Sequence, residues 1–159
     1  MNVERSTQQL LLAQRINFSF VIPGRLAGMG MPSSGYSPEC ITLLREFRVH
    51  TVVNLAGRDD RLGDHFQLLR EDVVDYSTPT EEQIDLIWAA WSELPDERAM
   101  VVHCVAGVGR TGTALACLIG RELKLPASDA IEFVRRERFG SVETRSQEIF
   151  IKRYLQERR

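Results

Sequence analysis

The 159-residue sequence predicts an α/β architecture, a central and mostly parallel sheet flanked by helices. Three observations carry that prediction. Short β-branched runs alternate with helical periodicities as far as residue 104, and the last third of the chain is helical in pattern throughout. Between them the apolar run Ala99–Val102 passes through a glycine-bearing loop straight into a helix-like stretch from Thr111 to Ile119. A site at the C-terminal end of a central strand is where such sheets bind ligands.

The elements follow in order. Ser6-Thr7-Gln8-Gln9 has capping-box spacing and predicts an N-terminal helix or arm within residues 1–16, ahead of one domain over 17–159. Phe18–Ile22 and Arg25–Ala27 read as two strands, parted by Pro23-Gly24. Ser37-Pro38-Glu39 opens a helix, with Ser37 as N-cap and proline in the first turn, and Leu43, Leu44 and Phe47 supply its period. His50–Leu55 is a β-branched strand, and Phe66–Leu69 is a shorter one. Thr80 and Gln83 cap a helix whose Ile84, Ile87, Trp88, Trp91 and Leu94 fall on one core-facing stripe. After the strand that ends at Cys104, helices begin near Arg110, Ser128 and Thr144.

Bulk properties narrow the function. The length suits one domain with a real core. A net charge of −2 offers no basic surplus for a nucleic-acid partner. No apolar run approaches the ~20 residues that span a bilayer, so no membrane partner is expected. Leu10-Leu11-Leu12 is too short for a signal-peptide core. Three cysteines without regular spacing argue against a disulfide framework and for a reducing, cytoplasmic setting.

The chemistry concentrates in Cys104-Val105-Ala106-Gly107-Val108-Gly109-Arg110. A cysteine at a strand end and an arginine at a helix start bracket a loop whose backbone N–H groups converge, from Val105 to Arg110. With the positive end of the helix dipole behind it, such a concavity binds a dianion and favours a thiolate. Arg110 adds a planar fork for two phosphoryl oxygens. A cation at a helix N-terminus otherwise opposes the dipole, which points again to a bound anion.

His103-Cys104-x-x-Gly107-x-x-Arg110-Thr111-Gly112 resembles the signature of the cysteine-dependent protein tyrosine and dual-specificity phosphatases. The segments Asn17–Gly28 and Gly140–Glu148 are similar to those of the small atypical VHZ-like members, so the resemblance runs from about Asn17 to the C-terminus. It implies a tyrosine-phosphatase-like fold and hydrolysis of phosphotyrosine, and of phosphoserine or phosphothreonine, through a phosphocysteine. It also implies roles. Cys104 would be the nucleophile, Arg110 the phosphate clamp and Asp75 the general acid, with Asp72 its rival. Thr111 would face the sulfur and assist breakdown of the phosphoenzyme. His103, which strand alternation turns away from Cys104, would support the loop. Glu143 and Gln147 would position the attacking water, although Thr144-x-x-Gln147 is also a capping box sufficient to explain Gln147. Cys117 reads as core filler and Cys40 carries no role; Arg25 and Arg58 are minor candidates for the cleft.

Other classes fit less well. A phosphate-binding NTPase loop would need a lysine after Gly112 and leaves Cys104 unexplained. Low-molecular-weight tyrosine phosphatases carry the loop near the N-terminus with the acid downstream. Phosphoinositide phosphatases place lysines within it, where this chain has Val105, Ala106 and Val108; a non-protein monophosphate ester (phospholipid, sugar or RNA 5′ end) is the alternative substrate. No cofactor and no metal is implied, and a monomer acting on a phosphorylated protein or small phosphomonoester is expected.

Overall fold

The computed structural model describes residues 3–32, 36–59 and 61–158. A helix, α1 (Val3–Arg15), precedes the hairpin of β1 (Ser19–Ile22) and β2 (Leu26–Met29). Then come α2 (Pro38–Glu46), β3 (Val49–Asn54), a single 3-10 turn at Leu62–Asp64, β4 (Gln67–Arg70) and α3 (Glu81–Ser92). The chain ends with β5 (Ala99–His103), α4 (Gly109–Glu122), α5 (Ala127–Glu137) and α6 (Arg145–Gln156). The sheet order is β1-β2-β5-β3-β4. β1 is antiparallel to β2 and every other pairing is parallel, the architecture the alternating pattern predicts.

Strand β5 is central because its residues can be buried on both faces. Ala99, Met100, Val101, Val102 and His103 are all buried, as strands covered by helices on both sides require. Its side chains sort by parity: Ala99 and Val101 join Leu43, Leu44, Val49 and Val52 on the α2 face. Met100, Val102 and Cys104 join Leu115, Ile119 and Phe150 on the face covered by α3 to α6. A parity of two thus gives one sheet two cores.

Caps place the helices. Ser37 accepts from the Cys40 N–H and Pro38 occupies the first turn of α2. Thr80 and Thr144 each form the reciprocal capping box, with Gln83 and Gln147 respectively. α1 runs from Val3, so its start falls ahead of the Ser6 position that the capping spacing suggests. Ile16, at the exit of α1, is buried in the α2-face core. β4 begins one residue later than the sequence pattern suggests, because most of its side chains are exposed and no alternation marks its edge. Trp91 is buried, whereas Trp88 is only half-buried, with the Arg121 guanidinium 4.1 Å from its ring centroid.

Candidate active site

Cys104 is the first residue beyond β5, where the strand delivers it to the C-terminal edge of the sheet; it is 2% exposed. Two donors converge on its sulfur. The Gly107 N–H reaches Sγ at 3.2 Å and the Thr111 hydroxyl at 3.1 Å. Thr111 can do so because α4 starts at Gly109, which puts its hydroxyl in the first turn, above the loop. Gly107 has φ +74, a conformation that favours glycine, and a Cβ there would collide with the Met29 carbonyl. His103 is fully buried, its Nδ1 3.4 Å from the Cys104 carbonyl oxygen and its ring 6.2 Å from that of Tyr36.

Arg110 lies 4% exposed and is held on its outer side. Nη1 donates to the Val73 carbonyl at 2.9 Å and more distantly to that of Leu55, 3.4 Å. Nη2 pairs with Asp75 Oδ1 at 3.2 Å. Its Nε is buried and has no hydrogen-bond partner among the described residues, a donor that an oxyanion in the loop would satisfy. A cleft of about 290 Å³ opens over Arg110, walled by residues 56–58, 72–75 and Val105.

Both candidate acids line that cleft, in different company. The Asp75 side chain is 61% exposed and faces Arg110, with Oδ1 also accepting from the Tyr76 N–H. Asp72 is turned to Arg70 Nε at 3.0 Å. Gln147 is fully buried and makes three bonds: Oε1 accepts from the N–H groups of Glu143 and Thr144, and Nε2 donates to the Ser77 carbonyl at 3.1 Å. It therefore joins α6 to the loop that carries Asp75. The Glu143 carboxylate abuts Gly109, where a Cβ would clash with it.

Arg58 lines the cleft. Arg25 does not: it donates to the carbonyls of Pro95 and Arg98, at the opposite end of β5. Cys40 and Cys117 are buried away in the two cores. Burial pushes Cys40 up to about 11 and Cys117 further in the same direction.

Arg138 has no local sequence signal and is the residue that sequence reasoning missed. It leaves the end of α5 and is 4% exposed. Nη1 donates to the carbonyls of Asn17 and Gly28 and to Ser19 Oγ, at 2.7–2.9 Å; Nη2 donates to the Gly107 carbonyl at 2.6 Å. Burial lowers its pKa to about 10, with the charge of Cys104 acting in the opposite sense, so it is a cation at neutral pH. Gly28 makes the room, since a Cβ there would stand 2.8 Å from Arg138 Nε.

Comparison with known proteins agrees with this geometry. The family described as Swiss Army Knife protein, DSP-PTPase phosphatase domain, matches residues 15–151. The chain is 32% identical over 151 residues to the dual specificity protein phosphatase CDC14C of Homo sapiens, covering 82% of this chain and 32% of that protein. It is also 32% identical over 145 residues to the tyrosine-protein phosphatase cdc-14 of Caenorhabditis elegans, covering 79% and 20%. It thus spans a third or less of these relatives. Among solved structures, Tk-PTP in the active form has a TM-score of 0.75 at 27% identity, with 89% of this chain and 97% of that one covered. PTPMT1 in complex with PI(5)P has a TM-score of 0.76 at 16% identity, covering 88% and 95%, a likeness of fold. By family and fold, with a buried cysteine just beyond its central strand, the chain belongs to the DSP-PTPase phosphatase domains of the Swiss Army Knife type.

Proposed function

We propose that the protein hydrolyses phosphotyrosine, and phosphoserine or phosphothreonine, in phosphorylated proteins through a phosphocysteine formed on Cys104. The observation that carries this reading is the pair of donors, Gly107 N–H and Thr111 O–H, aimed at the Cys104 sulfur, in a loop that ends at Arg110, whose buried Nε has no partner among the described residues. N–H and O–H donors on sulfur favour its anion, the nucleophilic form. In the first step the thiolate attacks phosphorus, the S–P bond forms, and the ester P–O bond breaks as Asp75 gives its proton to the leaving oxygen. Arg110 and the loop amides hold the equatorial oxygens throughout. In the second step water attacks phosphorus, Asp75 takes a proton from it, and the S–P bond breaks to release inorganic phosphate and the thiolate. The Thr111 hydroxyl, 3.1 Å from Sγ, stabilises that departing thiolate. Glu143 and Gln147, beside Gly109, are read as the groups that orient the water.

Asp75 is preferred over Asp72 because it faces Arg110, where the phosphoryl group would lie, while Asp72 is engaged by Arg70. The chemistry asks for no metal and for a reducing, cytoplasmic setting, and the protein is read as a monomer. Hydrolysis of a small aryl phosphate between pH 4 and 8 tests the scheme. Cys104→Ser should abolish turnover, and Asp75→Asn should lower kcat by roughly 10²–10⁴ and flatten the alkaline limb. Asp72→Asn should keep most of the activity, and a chelator should leave the rate unchanged. Turnover that survives in Cys104→Ser overturns the phosphocysteine. Rates on a phosphotyrosine peptide, a phosphothreonine peptide and vesicles of a monophosphorylated inositol lipid decide the substrate class; fastest turnover of the vesicles would replace the protein substrate with a lipid.

A further inference from the structure

An amide-lined loop binds an anion only if its carbonyls point elsewhere, since each peptide plane carries both groups on opposite edges. In the 105–109 loop every carbonyl is held from outside. The Met31 N–H takes Val105 O at 2.8 Å, Asn17 Nδ2 takes Ala106 O at 3.1 Å, and Arg138 Nη2 takes Gly107 O at 2.6 Å. The Gly112 N–H takes Val108 O at 3.0 Å and the Thr113 hydroxyl takes Gly109 O at 2.8 Å. Three of these donors belong to the fold's own backbone or to α4, so they are set by the architecture. Two are long polar side chains brought from distant parts of the chain to consecutive peptides. Asn17 also stands 3.5 Å from Gly107 O, so both converge on the peptide that precedes Val108.

We propose that Arg138 and Asn17 are positioning residues of the phosphate site, which act by turning the Ala106 and Gly107 carbonyls outward so that the loop amides stay aimed at the bound oxyanion. The two are coupled, because Arg138 Nη1 also donates to the Asn17 carbonyl at 2.9 Å. Arg138 brings a second effect. As a buried cation behind the loop, it polarises the Gly107–Val108 peptide, while Asn17 holds the carbonyl of the preceding peptide, whose Gly107 N–H reaches the Cys104 sulfur. The proposal rests on the reading that the 104–110 loop holds the phosphoryl group.

The test measures the dissociation constant of inorganic phosphate by calorimetry, and kcat and KM for an aryl phosphate, in the full chain. Asn17→Gly removes the side-chain amide yet keeps the left-handed backbone, φ 51, that glycine adopts freely. It should weaken phosphate binding and raise KM together, about three- to tenfold, the loss expected when one hydrogen-bond donor is withdrawn. Arg138→Met should weaken both by more than about tenfold, because the lost bond is charge-assisted, and Arg138→Lys should recover part of that. Native phosphate affinity and native KM in Asn17→Gly, whatever its melting temperature, would overturn the proposal and leave the two residues as plain struts. If Arg138→Met does not fold, Asn17→Gly and Arg138→Lys decide. The underlying reading fails differently, through turnover in Cys104→Ser, so the two outcomes are separable.

Discussion

Cys104, Cys40 and Cys117 are all buried, yet among the described residues only Cys104 has donors aimed at its sulfur. Cys40 has none of that help; burial pushes its thiol up to about 11, so between the ordinary value of 9.0 and that pH it stays protonated in the fold. Alkylation of the folded protein by iodoacetamide at pH 7, read by peptide mass spectrometry, should label Cys104 and leave Cys40 and Cys117 unmodified. Labelling of all three at equal rates would show that the loop confers no selectivity. The contrast marks what the sequence makes legible at this scale. Cys104, Gly107, Arg110 and Thr111 lie within eight consecutive residues, so spacing alone assembles them. Arg138 is different. It is 31 residues from the carbonyl it holds, and in Arg135-Arg136-Glu137-Arg138 it looks like ordinary charge at a helix end. Nothing local distinguishes it from its solvated neighbours.

Helices α3, α4 and α6 meet at Asp85. Its carboxylate accepts from Arg121 Nη1 at 2.9 Å, from the Tyr154 hydroxyl at 2.8 Å and from Arg158 at 2.6 and 2.9 Å. The Arg158 bonds are the leading cause that holds Asp85 below the usual carboxylate range. A depressed value contributes stability that is present above the unfolded pKa and is lost as pH falls through the folded one. Asp85→Asn should therefore cost about 1–2 kcal/mol at pH 7, a figure kept small because the side chain is partly exposed. The gap between variant and native should close as pH drops below ~4, near the unfolded value of an aspartate. Denaturant melts at pH 7 and pH 3 check this; a constant gap would remove Asp85 from the acid response. The capping residues of these helices were readable, because cap and partner stand three positions apart at Thr80 and Thr144. The Asp85 cluster was not, since its members come from residues 85, 121, 154 and 158 and meet only after the helices pack.

The two cores share β5, so neither face can melt without exposing the other's strand. Leu44→Ala and Leu115→Ala, each fully buried and on opposite faces, should each cost ~2–5 kcal/mol and lower one common melting transition. Two separate transitions in either variant would show that the faces unfold independently. Fold class was legible because alternating elements and one doubly buried strand admit few arrangements. The order of the strands was not, because pairing across β2, β5 and β3 joins segments up to some seventy residues apart. That pairing has a consequence for how the molecule can change. Behind the loop, Gly107 backs onto the Met29 carbonyl, and a Cβ at Gly30 would stand 2.9 Å from the Val105 carbonyl oxygen. In front, Val105 and Ala106 present exposed side chains. A lineage diversifying under selection would keep both glycines invariant and vary the front, so the grip on phosphate and the taste for substrate can evolve apart.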